Sequence, residues 1–317
     1  MKIKLLEPLG VEQSILDDLF QSLKIQGHEI IHYNQIASDE AEMVSRCSDA
    51  DILIIGSTPL SDKVILNAKK LKMISVAFTG IDHVGHEHLK EQSILVSNSA
   101  GYSNDSVSEL VLGLTLNLYR NISAADEVTR NGGTIKGLIG NEIKGKTVGI
   151  IGTGQIGLKT ASIFKSLGST LIAYDPYINE AALQMGVNYM TIDEVMSLSD
   201  IITLHLPLID ATKNFINRDK LDKMKPSAIL INCARGPIVD NNALAEALNN
   251  GKIAGAGIDV YDMEPPIPHE YPLLHAKNTL FTPHVAYATQ ESMVKRAEIA
   301  IQNVIAFLEG KPQNIMT

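Results

Sequence analysis

Short apolar runs alternate with stretches of helical spacing along almost the whole chain. Ile3–Leu6, Glu29–His32, Asp51–Ile55, Met73–Val76 and Ile94–Val96 read as strands, with segments of helical spacing between most of them. This alternation predicts a parallel sheet covered by helices. A long helix is predicted from Asn104 or Asp105, because Val107, Leu110, Val111, Leu114, Leu118 and Ile122 recur at three- and four-residue steps. Such a stripe covers a sheet or a neighbouring subunit, and Gly132-Gly133 supplies the stop signal. A second strand series follows: Thr147–Ile151, Thr170–Tyr174, Ile201–Leu204, Ala228–Asn232, Gly255–Asp259 and Thr279–Phe281. Thr191-Ile192-Asp193-Glu194 has the capping-box pattern for the start of a helix, and a last helix runs from about Thr289 to Leu308. The pattern therefore predicts two α/β units, the second beginning before its own first strand.

Composition narrows the class. With 317 residues, 45% hydrophobic and 20% charged, the chain is an ordinary globular protein long enough for two domains. Its net charge of −9 repels nucleic acid and anionic membranes, so any phosphate ligand must be held by local features. The only two cysteines, Cys47 and Cys233, form no CxxC pair and suit a reducing, cytoplasmic setting. No apolar stretch reaches the length of a membrane span, and the N-terminus has no signal-peptide core.

Gly152-Thr153-Gly154-Gln155-Ile156-Gly157 reads GxGxxG. Alone the motif is weak, but here a strand precedes it, a helix follows it, and a second strand ends in Asp175, 18 residues beyond Gly157. Gly152 permits the tight turn, Gly154 admits backbone close to a pyrophosphate, and Gly157 lets helix and strand pack closely. Gln155 and Ile156 open the helix, whose free N–H groups and positive dipole end solve the charge problem of an acidic protein. Asp175 can accept from the ribose hydroxyls and would repel a 2′-phosphate, which favours NAD over NADP. A flavin or S-adenosylmethionine site could use similar glycines; the remaining polar residues argue against both.

Arg235, Glu264 and His284 each follow an apolar strand in the second half of the chain. Carboxyl ends of strands in an open parallel sheet face the ligand crevice, so the three can converge beside a nicotinamide. The trio fits hydride transfer to a 2-oxo acid. Arginine grips a carboxylate or carbonyl oxygen with a fork of donors, histidine delivers the proton, and a carboxylate orients the ring.

The chain resembles the D-isomer-specific 2-hydroxyacid dehydrogenase family in motifs that span most of its length. These are Val76-Ala77-Phe78-Thr79-Gly80-Ile81-Asp82, Asn98-Ser99-Ala100-Gly101, the strand and glycine loop from Gly145, His205-Leu206-Pro207-Leu208, Asn232-Cys233-Ala234-Arg235-Gly236, Gly257-Ile258-Asp259-Val260, Glu264-Pro265 and Thr282-Pro283-His284-Val285-Ala286. The resemblance implies two Rossmann-like or flavodoxin-like parallel-sheet domains. A nucleotide domain, residues 99–287, is inserted into a discontinuous substrate domain, residues 1–98 and 288–317, with a cleft between them. It implies that Arg235 binds substrate, Glu264 pairs with His284, and His284 is the acid/base. Asp259 would contact the nicotinamide carboxamide, and His205, Pro207 and Cys233 would line the cofactor side. Backbone N–H groups around Thr79 and Gly80 would hold the substrate carboxylate. It also implies a homodimer through the nucleotide lobe.

Departures from the family's patterns bear on the substrate. Some phosphoglycerate dehydrogenases carry an arginine shortly before the Thr-Gly of the substrate loop; Val76 and Ala77 stand there in this chain. Phosphite dehydrogenase has a lysine where Thr79 stands. The tail stops at Thr317, so the C-terminal regulatory domain of some relatives is expected to be absent. His83, His86 and His88 lie close together but have no frame of further ligands, and no metal site is expected. The alternatives are a phosphoglycerate dehydrogenase or, in another class, an NAD(H)-sensing protein like the corepressors that share this fold.

Overall fold

The structure, a computed structural model, describes residues 1–85 and 87–316. It divides into two compact units, Met1–Ser103 with Ala288–Thr317, and Asn104–Tyr287. The first unit holds the strands β1 (Lys2–Leu5), β2 (Glu29–His32), β3 (Ile52–Ile55), β4 (Met73–Val76) and β5 (Leu95–Ser97). They form one parallel sheet in the order β2-β1-β3-β4-β5. Alternate residues feed its two faces. Ile3, Leu5, Ile52, Ile54 and Met73 pack with Leu16, Phe20 and Leu23 of the helix Gln13–Ile25 and with Ala297, Ile301 and Val304 of the helix Gln290–Leu308. Leu53, Ile55, Ile74 and Val76 pack with Met43, Val64 and Ile65 on the opposite face.

The second unit holds β6 (Thr147–Ile151), β7 (Thr170–Tyr174), β8 (Asn188–Tyr189), β9 (Ile201–Leu204), β10 (Ile229–Asn232), β11 (Gly255–Ile258) and β12 (Thr279–Phe281). Their order is β12-β11-β10-β9-β6-β7-β8, again all parallel. The order reverses between β6 and β9, which is where a doubly wound sheet opens a crevice. Every residue of β9, β10 and β11 is buried, as expected for strands covered on both faces. The capping box at Thr191 forms, with Thr191 N donating to Glu194 Oε2 at 2.9 Å.

Three details differ from the sequence pattern. The apolar stripe after Asn104 does not lie on one helix: Asn104–Arg120 ends and Ile122–Arg130 begins across Asn121, which has φ +52°. Asparagine tolerates this left-handed conformation, and a hydrophobic period carries no sign of it. The strand expected at Ile94–Val96 lies one residue later. The two-residue edge strand β8 is too short to give a period at all. Among the described residues no helix is long and apolar enough to cross a membrane.

Candidate active site

One row of paired residues crosses six strands of the second unit. Tyr174 pairs with Ile151, Ile151 with Leu204, Leu204 with Asn232, Asn232 with Ile258, and Ile258 with Phe281. The next residue on each strand is Asp175, Gly152, His205, Cys233, Asp259 or Thr282. Register thus brings segments far apart in sequence to one carboxyl edge, the ligand-facing edge of a parallel sheet.

The glycine loop stands at the middle of that edge. Gly152 has φ +97°, and an added Cβ would lie 2.7 Å from the carbonyl oxygen of His205. At Gly157 it would lie 2.0 Å from the Gly152 oxygen, so the helix sits against the turn at a distance only glycine allows. At Gly154 nothing lies within 4 Å of the same added atom, leaving open space above the start of the helix Gln155–Ser166. No side chain caps this helix, so its first N–H groups face that space, as a pyrophosphate requires. Gln155 is held by Asn104 Nδ2 at 3.0 Å, and Ile156 packs into the core. Asp175 binds the loop: Thr153 N donates to its Oδ2 at 2.7 Å, Thr153 Oγ1 to the same oxygen at 3.1 Å, and Tyr177 N to Oδ1 at 2.9 Å. A carboxylate has about four acceptor positions, so one remains for a ribose hydroxyl. The residues present fit a dinucleotide.

His205 is flanked by Thr203, whose hydroxyl lies 3.0 Å from Nε2, and burial pushes the imidazole down to about 3. The same burial favours the neutral ring. Pro207 is exposed and its carbonyl accepts from Thr212 Oγ1 at 2.6 Å. Burial, with the Asp259 carboxylate nearby, pushes the Cys233 thiol well up, which makes it a packing residue and not a nucleophile.

At the far end of the row His284 meets Glu264. His284 Nδ1 is 2.7 Å from Glu264 Oε2, with the ring half-buried and the carboxylate exposed. His284 has φ +57°, a left-handed backbone that costs a histidine about 1 kcal/mol or more. Asp259 holds it there. This carboxylate is 0% exposed and accepts from Thr282 Oγ1 at 2.6 Å and from the N–H groups of Val285 and Ala286 at 2.9 Å each. The His284 N–H donates to the Asp259 carbonyl at 2.8 Å. Asp259 therefore shapes the turn that presents His284. Removing its carboxylate strands buried donors, each costing about 1–3 kcal/mol. Asp259→Ala is expected to lower unfolding free energy by about 3 kcal/mol or more in urea titrations, and an unchanged midpoint would refute this bracing role.

Arg235 leaves β10 on the strand next to β11. Asn232 Nδ2 donates to its carbonyl at 3.0 Å, and its Nη1 donates to the Ala234 carbonyl at 2.8 Å. An added Cβ on Gly236 would fall 1.9 Å from the Tyr261 carbonyl oxygen, so the Arg235 turn is seated directly on the segment leading to Glu264.

In the first unit, β4 releases Phe78, Thr79 and Gly80. The Thr79 carbonyl accepts from Asn98 Nδ2 at 2.7 Å. Among the described residues the N–H groups of Thr79 and Gly80 make no bond, which leaves adjacent donors for an anion. His86 lies outside the described residues, and among the described residues no group of three or more His, Cys, Asp or Glu side chains could hold a metal ion.

Comparison with known proteins accords with this geometry. The family described as D-isomer specific 2-hydroxyacid dehydrogenase, NAD binding domain, matches residues 112–286. A hydroxypyruvate reductase of Blautia hydrogenotrophica is 35% identical over 100% of this chain and 99% of that protein. The chain belongs to this family. It is an NAD-dependent oxidoreductase that interconverts a 2-oxo acid and a D-2-hydroxy acid. A D-3-phosphoglycerate dehydrogenase of Methanocaldococcus jannaschii is 39% identical to the dehydrogenase over 85% of this chain, but the match spans only 52% of that protein. Among solved structures, an acyclic imino acid reductase in complex with NADPH and D-Arg superposes with a TM-score of 0.90 at 29% identity, covering 100% of both chains.

Sequence reasoning about this dehydrogenase missed the residues that hold the site. Thr282 lay within a quoted motif, yet only its bond to Asp259 reveals its part. Asn232 acts through both ends of its amide, accepting from Ala234 N at 3.0 Å while it donates to Arg235. Asp262 ties Asn241 Nδ2 at 2.8 Å to the Tyr271 hydroxyl at 3.1 Å, joining the segments after Arg235 and before Glu264. Nothing in the spacing of these residues marks them.

Proposed function

We propose that this chain reduces a small, unphosphorylated 2-oxo acid with NADH, and that Arg235, Glu264 and His284 carry the reaction. The observation that carries this reading is the 2.7 Å pairing of His284 with Glu264 on the edge that also bears Arg235 and the glycine loop. The dinucleotide would lie along Gly152, Gly154, Gln155, Ile156 and Gly157, with Asp175 at the adenosine ribose, His205, Pro207 and Cys233 along its length, and Asp259 at the carboxamide. Asp259 is fully buried, with three of its acceptor positions taken within the protein, so in this reading its chief part is to shape the turn at His284. When bound, the nicotinamide supplies the hydride.

The protein's own part is positioning and proton transfer. Glu264 holds Nδ1 of His284, which leaves Nε2 to give its proton to the substrate oxygen. Arg235 binds carboxylate and carbonyl oxygen together and stabilises the charge developing on the latter. The N–H groups of Thr79 and Gly80, unbonded among the described residues, are the proposed donors to the substrate carboxylate. A phosphorylated substrate finds no arginine at Val76 or Ala77, and a hydroxypyruvate reductase is matched over 99% of its length. The second unit also leaves Ile135 and Ile139 exposed at 76% and 88%, together with Leu116 and Ile122, apolar side chains that a second copy of the chain would cover. Two free buried cysteines accord with a reducing, cytoplasmic setting.

NADH oxidation measured with pyruvate, hydroxypyruvate, glyoxylate, 2-oxoisocaproate, phenylpyruvate and phosphohydroxypyruvate tests the reading. Turnover is expected with the small acids and should be poorest with the phosphorylated one. Tight NADH binding without turnover on any of them would favour an NAD(H)-sensing protein. NADH is expected to be preferred to NADPH, and Asp175→Ala to reduce that preference by at least about tenfold, on the scale of one charge-assisted contact.

A further inference from the structure

We infer that Tyr189 and Thr153 form a positioning relay that locks the Asp175 carboxylate and thereby sets the dinucleotide selectivity of this enzyme. The inference rests on the reading of Asp175 as the ribose acid. Thr153, the variable residue between the first two glycines of the loop, is only 3% exposed, so its side chain points into the protein. Its hydroxyl meets Asp175 Oδ2 at 3.1 Å and the Tyr189 hydroxyl at 2.8 Å. Tyr189 stands on the edge strand β8, paired with Ala173, two residues before Asp175. The Tyr189 oxygen in turn accepts from Asn179 N at 2.9 Å, and Asn179 Nδ2 donates to the Thr153 carbonyl at 2.9 Å.

The polarity of this chain is determined by its ends. An ionised carboxylate only accepts, and a backbone N–H only donates. Asn179 N therefore donates to Tyr189, Tyr189 donates to Thr153, and Thr153 donates to Asp175. Were Thr153 to donate to Tyr189 instead, its oxygen would face the Asp175 carboxylate with no proton between them. Both ends of the segment 175–179 are thus stapled to the glycine loop, one through the carboxylate and one through Asn179. To admit a 2′-phosphate, the carboxylate must swing away from the ribose. That swing breaks the bonds from Thr153 N and Thr153 Oγ1, while the relay keeps the hydroxyl aimed at the acid. Tyr189 touches neither dinucleotide nor substrate in this scheme; it acts through Thr153.

The test is a pair of titrations, NADH and NADPH, followed by nicotinamide fluorescence for the intact protein and for Tyr189→Phe, Thr153→Val, Thr153→Ser and Asp175→Ala. Tyr189→Phe and Thr153→Val are each expected to lower the ratio of Kd for NADPH to Kd for NADH by roughly three- to tenfold, the scale of one or two neutral hydrogen bonds. Thr153→Ser keeps the hydroxyl and is expected to retain the ratio. The loss should appear in KM for NADH and not in kcat. A double substitution, Tyr189→Phe with Thr153→Val, should change the ratio by less than the product of the two single effects, because both break one chain. A parallel rise of both Kd values, or an unchanged ratio in folded Tyr189→Phe and Thr153→Val while Asp175→Ala collapses it, overturns the relay and leaves the role of Asp175 standing. An unchanged ratio in Asp175→Ala overturns the reading beneath it. If Tyr189→Phe does not fold, Thr153→Val against Thr153→Ser decides the matter.

Discussion

Replacing His284 by alanine is expected to lower kcat for oxo-acid reduction by roughly 10²–10⁴-fold, the usual scale for a positioned acid/base. NADH affinity should change little, because the ring meets Glu264 and not the glycine loop. The partner residue is expected to act through the position of the ring. Glu264→Gln replaces the carboxylate acceptor at the 2.7 Å contact with Nδ1 by a weaker amide, and kcat should fall by about tenfold. Stopped-flow NADH oxidation checks both substitutions. Near-normal turnover in His284→Ala would remove the proposed proton donor. An unchanged kcat in Glu264→Gln would mean that the 2.7 Å contact contributes nothing to proton transfer.

Arg235→Lys is the second large effect expected. Lysine keeps the charge but not the planar fork, so it cannot hold carboxylate and carbonyl oxygen together. kcat/KM for the oxo acid should fall by at least about tenfold, or roughly 1.4 kcal/mol of transition-state binding. The backbone around the residue should survive, because Asn232 binds the Arg235 carbonyl and not its guanidinium. NADH affinity by fluorescence titration should stay within a few-fold. The opposite pattern, weak NADH binding with intact turnover at saturating cofactor, would place Arg235 on the dinucleotide.

These expectations draw on features of unequal legibility. The glycine loop could be read directly, because Gly152 and Gly157 each answer a steric demand that no other residue meets. The same holds for the capping box at Thr191 and for the strands, whose burial is written in short apolar runs. The break at Asn121 could not be read, since one residue with positive φ leaves the hydrophobic period on either side intact. Nor could β8, whose two residues carry Tyr189 to the glycine loop. The strands read from the pattern, the edge strands β2 and β12 included, were placed to within a residue, whereas β8 has too few residues to show a period.

By itself, then, the chain's pattern determined two parallel α/β units, a dinucleotide loop and the strand-end positions of Arg235, Glu264 and His284. Local sequence suffices for these because steric limits, helix caps and apolar periods act over a few neighbouring residues. Only the tertiary structure decided which of those strand ends share one row, since register is set by packing between segments well separated along the chain, as Val148 is from Ile201. It alone revealed that Asp259 braces the strained turn at His284, and that Asp175 is held by Thr153 with Tyr189 behind it. A carboxylate carries no mark of its donors in sequence. Its partners come from whatever backbone N–H and hydroxyl groups the folded sheet brings to the same edge.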